Sequence, residues 1–422
     1  MSGFTTIRQV FAIRNYRFYL LGNLVSTSGN WVQRVAMGWL TWDLTQSGAW
    51  LGVIAFADLF PTFLIGLFAG ALVDRSDAFK VLKRTQLLQL AQASALTALV
   101  FSGHVTVEWL VVFALVRGII VAFNRPARMT TIYNIAGREH LTSAIAVNSM
   151  VFNSSRFIGP ALGGAVTASL GVGWAFGFNA LTYLAFYGCL MAIRIAPAII
   201  QTTKRSLLAD AVAGVRYTAG TEAIAVLLGT MLLVSLFVRP FTDLLPGFAG
   251  EVFGRGAGAY STLLTLHGVG AMAAGAWLAQ RGGLRGYTGV TVASLLVVSL
   301  ALIVFSLAHN YWVAMPVMVV TGWAFVVQGV TIQTLIQTSI VAEMRGRVMS
   351  LYGMVARGTP AIGALMMGGL SEYFGLPAPV LGGAVLCLLL WAWVRTRQVR
   401  LAAELERETP VPVMGAERGG GG

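Results

Sequence analysis

Arg156-Phe157-Ile158-Gly159-Pro160-Ala161-Leu162-Gly163-Gly164 sits inside a long apolar run, and Arg357-Gly358-Thr359-Pro360-Ala361-Ile362-Gly363-Ala364 echoes it about two hundred residues later. Asn148-Ser149-Met150 leads into the first copy and Met349-Ser350-Leu351 into the second. A cation, a proline and several small residues therefore recur at one place in each half, which points to two homologous halves. Small residues let a neighbouring backbone approach closely, and proline bends a helix. The repeat is either a tightly packed helix crossing or a bend between halves that rock against each other.

Composition fixes the solvent. The 422 residues are 57% hydrophobic and 11% charged, with mean hydropathy +0.75, whereas soluble domains carry about 25% charged residues. Apolar segments of roughly 20 residues, long enough to span, follow one another from about 17 to about 396. The polar, basic start from Met1 to Arg17 is unlike a cleavable signal. Forty-nine glycines and only three lysines suit packed membrane helices better than lipid-facing strands, which alternate. Cys189 and Cys387 lie in apolar runs and read as core residues without a disulfide or metal pattern.

The net charge of +13 would suggest nucleic acid in a soluble protein, but its placement argues otherwise. Basic residues gather in alternate loops: Arg8, Arg14 and Arg17; Arg75, Lys80, Lys83 and Arg84; Arg125, Arg128 and Arg138; and onward to Arg395, Arg397 and Arg400. That is the positive-inside bias. It predicts an even number of spans in a bacterial inner membrane, with both termini cytoplasmic. No nucleic-acid partner and no cofactor are expected, and the chain is expected to act as a monomer in the lipid bilayer.

The fold expected is all-α and integral to the membrane, with twelve spans at roughly 17–43, 49–73, 83–103, 107–130, 142–170, 173–195, 223–250, 257–280, 287–308, 312–337, 347–371 and 377–394. They form two pseudo-symmetric six-helix bundles, 1–196 and 222–395. Between them, 197–221 carries Leu207, Leu208, Ala211, Val212 and Val215 at helical spacing, with Lys204, Arg205, Asp210 and Arg216 around them. That pattern reads as an amphipathic helix on the cytoplasmic surface. The polar stretch 396–422, ending in four glycines, reads as a disordered tail.

Six plus six spans about a cytoplasmic linker is the layout of the major facilitator superfamily. The loop after the second span, Gly70-Ala71-Leu72-Val73-Asp74-Arg75 followed by Lys80, Lys83 and Arg84, resembles that superfamily's signature loop. The resemblance implies a latch that closes the cytoplasmic side, with Gly70 allowing close packing and Asp74 capping or salt-bridging a helix end. Asp77-Ala78 departs from the usual pattern. Gly159, Pro160, Gly163 and Gly164 resemble the Gly-Pro-x-x-Gly-Gly motif of the superfamily's exporters. Gly29-Asn30-Trp31-Val32-Gln33-Arg34-Val35-Ala36, Pro126-Ala127-Arg128 and Arg345-Gly346-Arg347-Val348-Met349-Ser350 further resemble the bacterial branch that includes the enterobactin exporter and macrolide efflux proteins.

Ionisable residues deep in spans are costly and mark function by default. The candidates are Arg34, Asp58, Arg117, Arg156, Arg239, Asp243, His267 and Arg357. Arg34 lies twelve residues before the outer turn at Gln46 and Asp58 twelve after it; Asp243 and His267 flank Arg255 in the same way. At 1.5 Å rise per residue, each couple lies at one depth on adjacent antiparallel helices. Arg34–Asp58 is expected to be either a permanent ion pair that fixes register or the seat of a proton that comes and goes. Asp243 and His267 are the second proton-coupling candidates, and Arg239 and Asp243, four residues apart, are expected to pair if Pro240 permits. Arg156 and Arg357, at equivalent positions in the repeat, can hold an anionic group or anchor the carbonyls of a bent helix. Arg117, Trp31, Phe56, Phe152 and Phe241 are further candidates for the cavity lining, beside Trp39, Trp42, Phe60 and Phe237.

The function expected is secondary active transport: proton-coupled export, by antiport and rocker-switch alternating access, of a small amphiphilic molecule such as a siderophore or drug. A lipid or lysolipid flippase of the same fold is the alternative, and a transport-inactive receptor or sensor the alternative of another class. The chain has no Gly-x-x-x-x-Gly-Lys-Ser/Thr loop for a nucleotide. Its four histidines are scattered, so no enzyme is expected. A fluorescent protein fused after Gly422 should fluoresce, and alkaline phosphatase at the same point should be inactive. Active phosphatase there would reverse the topology.

Overall fold

A computed structural model describes residues 10–195, 207–281 and 283–406. The expected twelve spans form, as helices in two bundles. The first bundle holds α1 (Arg14–Thr45), α2 (Gly48–Asp74), α3 (Ala78–Phe101), α4 (Val107–Gly137), α5 (138–170) and α6 (Val172–Met191). A short α7 (Leu207–Gly220) precedes the second bundle. That bundle holds α8 (Glu222–Phe237) continued by α9 (Phe241–Gly247) and one π turn (Phe248–Val252), then α10 (Ala257–Ala279), α11 (Tyr287–Leu307), α12 (Tyr311–Ser339), α13 (Ala342–Phe374) and α14 (Pro377–Leu405).

Local chemistry sets the boundaries. Ser47 and Asp77 cap α2 and α3 by accepting from Trp50 N and from Phe79 N and Lys80 N. Gly137, at φ 69° and ψ 174°, turns the chain between α4 and α5 in a conformation that a side chain disfavours. The seventh span is not one straight helix. Pro240 has no N–H to donate, so the helix breaks after Phe237 and Arg239 N reaches back to Val234 O.

The end carrying the turns at 46–47, 102–106, 171, 253–256, 308–310 and 375–376 is here the far end. The opposite, basic end carries Arg14, Lys80 and Arg281. The expected disordered tail from 396 is corrected in part. α14 runs on to Leu405, Arg400 pairs with Glu222 at 2.7 Å, and Glu406 accepts from Gly286 N and Thr288 N to cap α11. Residues 407–422 lie outside the described residues, as do Lys204 and Arg205 of the expected linker helix. Val212 and Val215 of that helix are exposed, while Gly214 packs on Arg347 of α13.

The bundles meet at two crossings related by the repeat: α2 with α13, and α5 with α10. A Cβ on Gly52 would meet Ala364 O at 2.4 Å, and one on Gly164 would meet Ser261 Cβ at 2.2 Å. The expected motif at Gly159, Pro160, Gly163 and Gly164 thus lies at a packed crossing. Gly159 faces Trp31, Gly163 faces Val32 of α1, and Gly164 faces α10. At the far end Ser47 Oγ donates to Glu372 Oε1 at 2.5 Å and Ala49 N donates to the same atom at 3.0 Å, tying α2 to α13. Trp42 lies against Gly247 and Gly250 of the second bundle. These contacts close the far end.

Inside the second bundle the helices come closer still. A Cβ on Gly383 would stand 1.8 Å from Phe237 O, a backbone atom that cannot swing away, whereas one on Gly369 would meet nothing within 4 Å. Gly383→Ala should lower the unfolding midpoint of the purified protein by the equivalent of about 1–3 kcal/mol, the usual cost of overpacking. Gly369→Ala should leave it unchanged or raise it by less than about 1 kcal/mol.

Candidate functional site

Between the crossings lies a cavity of about 1390 Å³ including its mouth. Both bundles line it: α1, α2, α4 and α5 from the first, the α8–α9 segment, α10, α12 and α13 from the second. At its far-end side Tyr260 and His267 are buried, while Arg125, Phe152 and Arg357 toward the basic end are exposed. The cavity therefore opens toward the basic end.

Six guanidinium groups and two carboxylates face this space: Arg34, Arg117, Arg125, Arg156, Arg239 and Arg357 with Asp58 and Asp243. Both carboxylates are already engaged. Arg34 Nη2 donates to Asp243 Oδ1 at 2.7 Å, and Arg117 donates to Asp58. The first pair joins the two bundles; the second is internal to the first bundle.

Three expected pairings do not form. Arg34 does not pair with Asp58, Asp243 does not pair with His267, and Arg239 does not pair with Asp243. The depths derived from counting are compatible with this layer of charges, but equal depth leaves the azimuth free. The packing of each helix sets that azimuth: Arg34 looks toward the second bundle and Asp58 toward α4. His267 instead lies 3.3 Å from Thr321 Oγ1, between the rings of Phe241 and Phe325.

Prolines explain the neighbours of the repeat. Pro360 cannot donate to Ala356 O, four residues back, and Arg239 Nη1 fills that carbonyl at 3.2 Å. The same vacancy at Pro160 frees Arg156 O, against which Gly268 of α10 packs. The carbonyl-anchoring role expected of Arg156 or Arg357 is thus taken by Arg239.

Of the aromatic candidates, Trp31 and Phe152 line the cavity. Phe56 does not, being stacked on Phe60 with ring centroids 4.5 Å apart. Phe241 is wholly buried among Phe248, Phe305 and Phe325 in the second bundle's core. Phe325 and Tyr260 line the cavity unanticipated. Arg125, expected in a topology-setting loop, lies within α4 on the cavity wall. Its spacing of eight residues from Arg117, two turns on one face, was the available signal.

A buried polar seam in the first bundle also escaped notice. Tyr19, Asn23, Ser26, Asn30 and Gln33 recur every three or four residues along α1; Ser26 meets Gln86 and Gln33 meets Gln92 of α3, while Asn30 and Gln33 meet Tyr183 and Asn179 of α6. Gln33 joins Asn179 to Gln92, and Tyr183 Oη donates to Asn30 Oδ1 at 2.7 Å.

The signature loop behaves differently from the resemblance. A Cβ on Gly70 would meet nothing within 4 Å, and neither Asp74 nor Arg75 has an ion pair among the described residues. Asp77 does the capping, with Lys80 Nζ 3.5 Å away.

The Arg117 side chain is 16% exposed and Arg34 37%. Removing a buried partner strands a charge at a cost of about 3 kcal/mol or more, while exposed pairs are worth about 1 kcal/mol or less. Asp58→Asn should therefore lower the unfolding midpoint markedly and Asp243→Asn by less, because the guanidinium left behind is the more exposed one, although Asp243 at 13% is the most buried of the four groups. Equal losses would mean that the two pairs are equally structural.

The sequence profile of a family described as transmembrane secretion effector matches residues 5–413. The staphyloferrin A transporter of Staphylococcus aureus (strain NCTC 8325 / PS 47) is 22% identical over 394 residues, covering 92% of this chain and 98% of that protein. The multidrug efflux pump Tap of Mycolicibacterium fortuitum is 24% identical over 393 residues, covering 88% and 92%. A bacterial homologue of the human lysosomal transporter Spinster, solved in an inward-facing and unoccupied conformation, superposes with TM-score 0.71 at 15% identity over 94% of this chain and 99% of that one. At that identity the likeness shows the fold alone.

Proposed function

The chain belongs to the transmembrane secretion effector family of major facilitator transporters, and from that premise we propose that it exports a small amphiphilic molecule, siderophore-like or drug-like, by proton antiport. It is a multi-pass membrane transporter, and we place it in a bacterial inner membrane as a monomer with both termini, α7 and the cavity mouth on the cytoplasmic side. The halves 1–196 and 222–395 are the bodies that rock.

The observation that carries the proposal is the Arg34–Asp243 pair, which lines the cavity and is made between the two bundles. A proton on Asp243 removes the carboxylate charge and with it most of the attraction for Arg34. The halves are then free to part at the far end, where the α2–α13 and α5–α10 crossings separate. Asp58 is the second acid, held by Arg117 within one half, so its protonation acts on the cavity's charge rather than on the hinge. His267, bonded to a hydroxyl in an aromatic cage, serves packing. Gly70, Asp74, Arg75 and Lys80 engage only when the basic end closes, which accounts for their lack of cross-bundle partners in the present state. Export rather than import is supported by the family's description and by the efflux pump among the relatives.

Everted membrane vesicles with an imposed pH gradient test this, using a panel of siderophores, macrolides and dyes and normalising to folded protein. The intact chain should accumulate at least one compound until the gradient is collapsed, and Asp243→Asn should abolish gradient dependence. Accumulation that survives both gradient collapse and Asp243→Asn would instead favour a facilitator or flippase.

A further inference from the structure

Among the six cavity guanidiniums, four have no carboxylate within ion-pair distance among the described residues: Arg125, Arg156, Arg239 and Arg357. Arg125 and Arg156 come from the first bundle, Arg239 and Arg357 from the second. All four line the one cavity between the bundles, Arg125 within the field of Arg357 and Arg156 within that of Arg239. Two like-charge couples thus lie between the bodies that must approach when the mouth closes. Arginine in a membrane interior is expensive even when partly hydrated, and like charges held together in a water-poor cleft add to that cost. Among the described residues no carboxylate pairs with any of the four: both cavity acids are spent on Arg34 and Arg117, and Arg239 has only the carbonyl of Ala356.

We propose that the cargo is a multivalent organic anion, with two or more carboxylate-like or phosphate-like groups, that bridges the Arg125–Arg357 and Arg156–Arg239 couples. Each guanidinium offers a planar fork of donors matched to such groups. An anion seated in each couple turns repulsion between the halves into attraction, so that the loaded cavity closes over its ligand and the empty one stays open. Trp31 and Phe152 of the first bundle and Leu264 and Phe325 of the second line the same cavity and supply apolar contact for the ligand's organic body. Cationic drugs meet four uncompensated positive charges and are disfavoured. The proposal rests on the transport reading only in treating the bound molecule as cargo; binding itself needs no gradient.

The test is calorimetric titration of the full-length protein in nanodiscs with citrate, pyrophosphate, neutral triethyl citrate and cationic tetraphenylphosphonium. Citrate or pyrophosphate should bind at least about tenfold more tightly than the ester and the cation, and added sodium chloride should weaken binding. The tighter of the two anions assigns the carboxylate or the phosphate class. Arg156→Gln and Arg357→Gln should each weaken anion binding about tenfold or more. Arg255→Gln, at the far-end turn against Tyr311 and Trp312, should leave it unchanged. Tighter binding of tetraphenylphosphonium, no binding of either anion to folded protein, or anion affinity indifferent to salt and to both substitutions would overturn the proposal. Should the variants fail to fold, the comparison of four ligands and the salt dependence on the intact chain decide it. Anion binding without gradient-driven efflux would sink proton antiport alone, and gradient-driven efflux of a cation without anion binding would sink this inference alone.

Discussion

A guanidinium inside a membrane protein has to be paired, hydrogen-bonded or hydrated, and the centre of this molecule is arranged around that constraint. Arg117 is held by Asp58 within the first bundle. Arg34 is held by Asp243 across the two bundles. Arg239 uses the carbonyl of Ala356, left free by Pro360. Arg128 uses Asn23 and Ser26 of α1, and Arg125, Arg156 and Arg357 look into the cavity, where water or a ligand can reach them. Remove the cavity and the charges have no tolerable location.

The two crossings between the bundles follow a complementary rule. Without a hydrophobic drive between helices in lipid, association depends on close backbone approach. Gly52 against Ala364 and Gly164 against Ser261 provide it at pseudo-equivalent places. The α2–α13 crossing reaches Phe63, on which Gly358 packs, and the α5–α10 crossing reaches Gly268, set against Arg156 and Phe157.

The bundles differ inside. The second is filled by an aromatic cluster of Phe241, Phe248, Phe305 and Phe325. The first is threaded by amides, from Asn23 to Gln92 and Asn179. Pseudo-symmetry of the backbone therefore coexists with a difference between the interiors.

The chain by itself determined its solvent, its twelve helices and its division into halves, because hydropathy, span length and a repeated Arg–Pro–Gly pattern are properties of consecutive residues. The layer of membrane charges was also legible, since rise per residue converts position into depth. Partners were not. Arg34 and Asp58 share a depth, yet the azimuth of each helix is set by which faces pack, and that turned Arg34 onto Asp243 and Asp58 onto Arg117. Arg125 was hidden because a cation near a span's end reads equally as a topology-setting charge or as cavity wall until packing shows which face of α4 meets the cavity. Phe56 and Phe241 were misplaced for the same reason: an aromatic ring is at home in a core, in lipid or on a cavity wall, and only tertiary packing chooses among them.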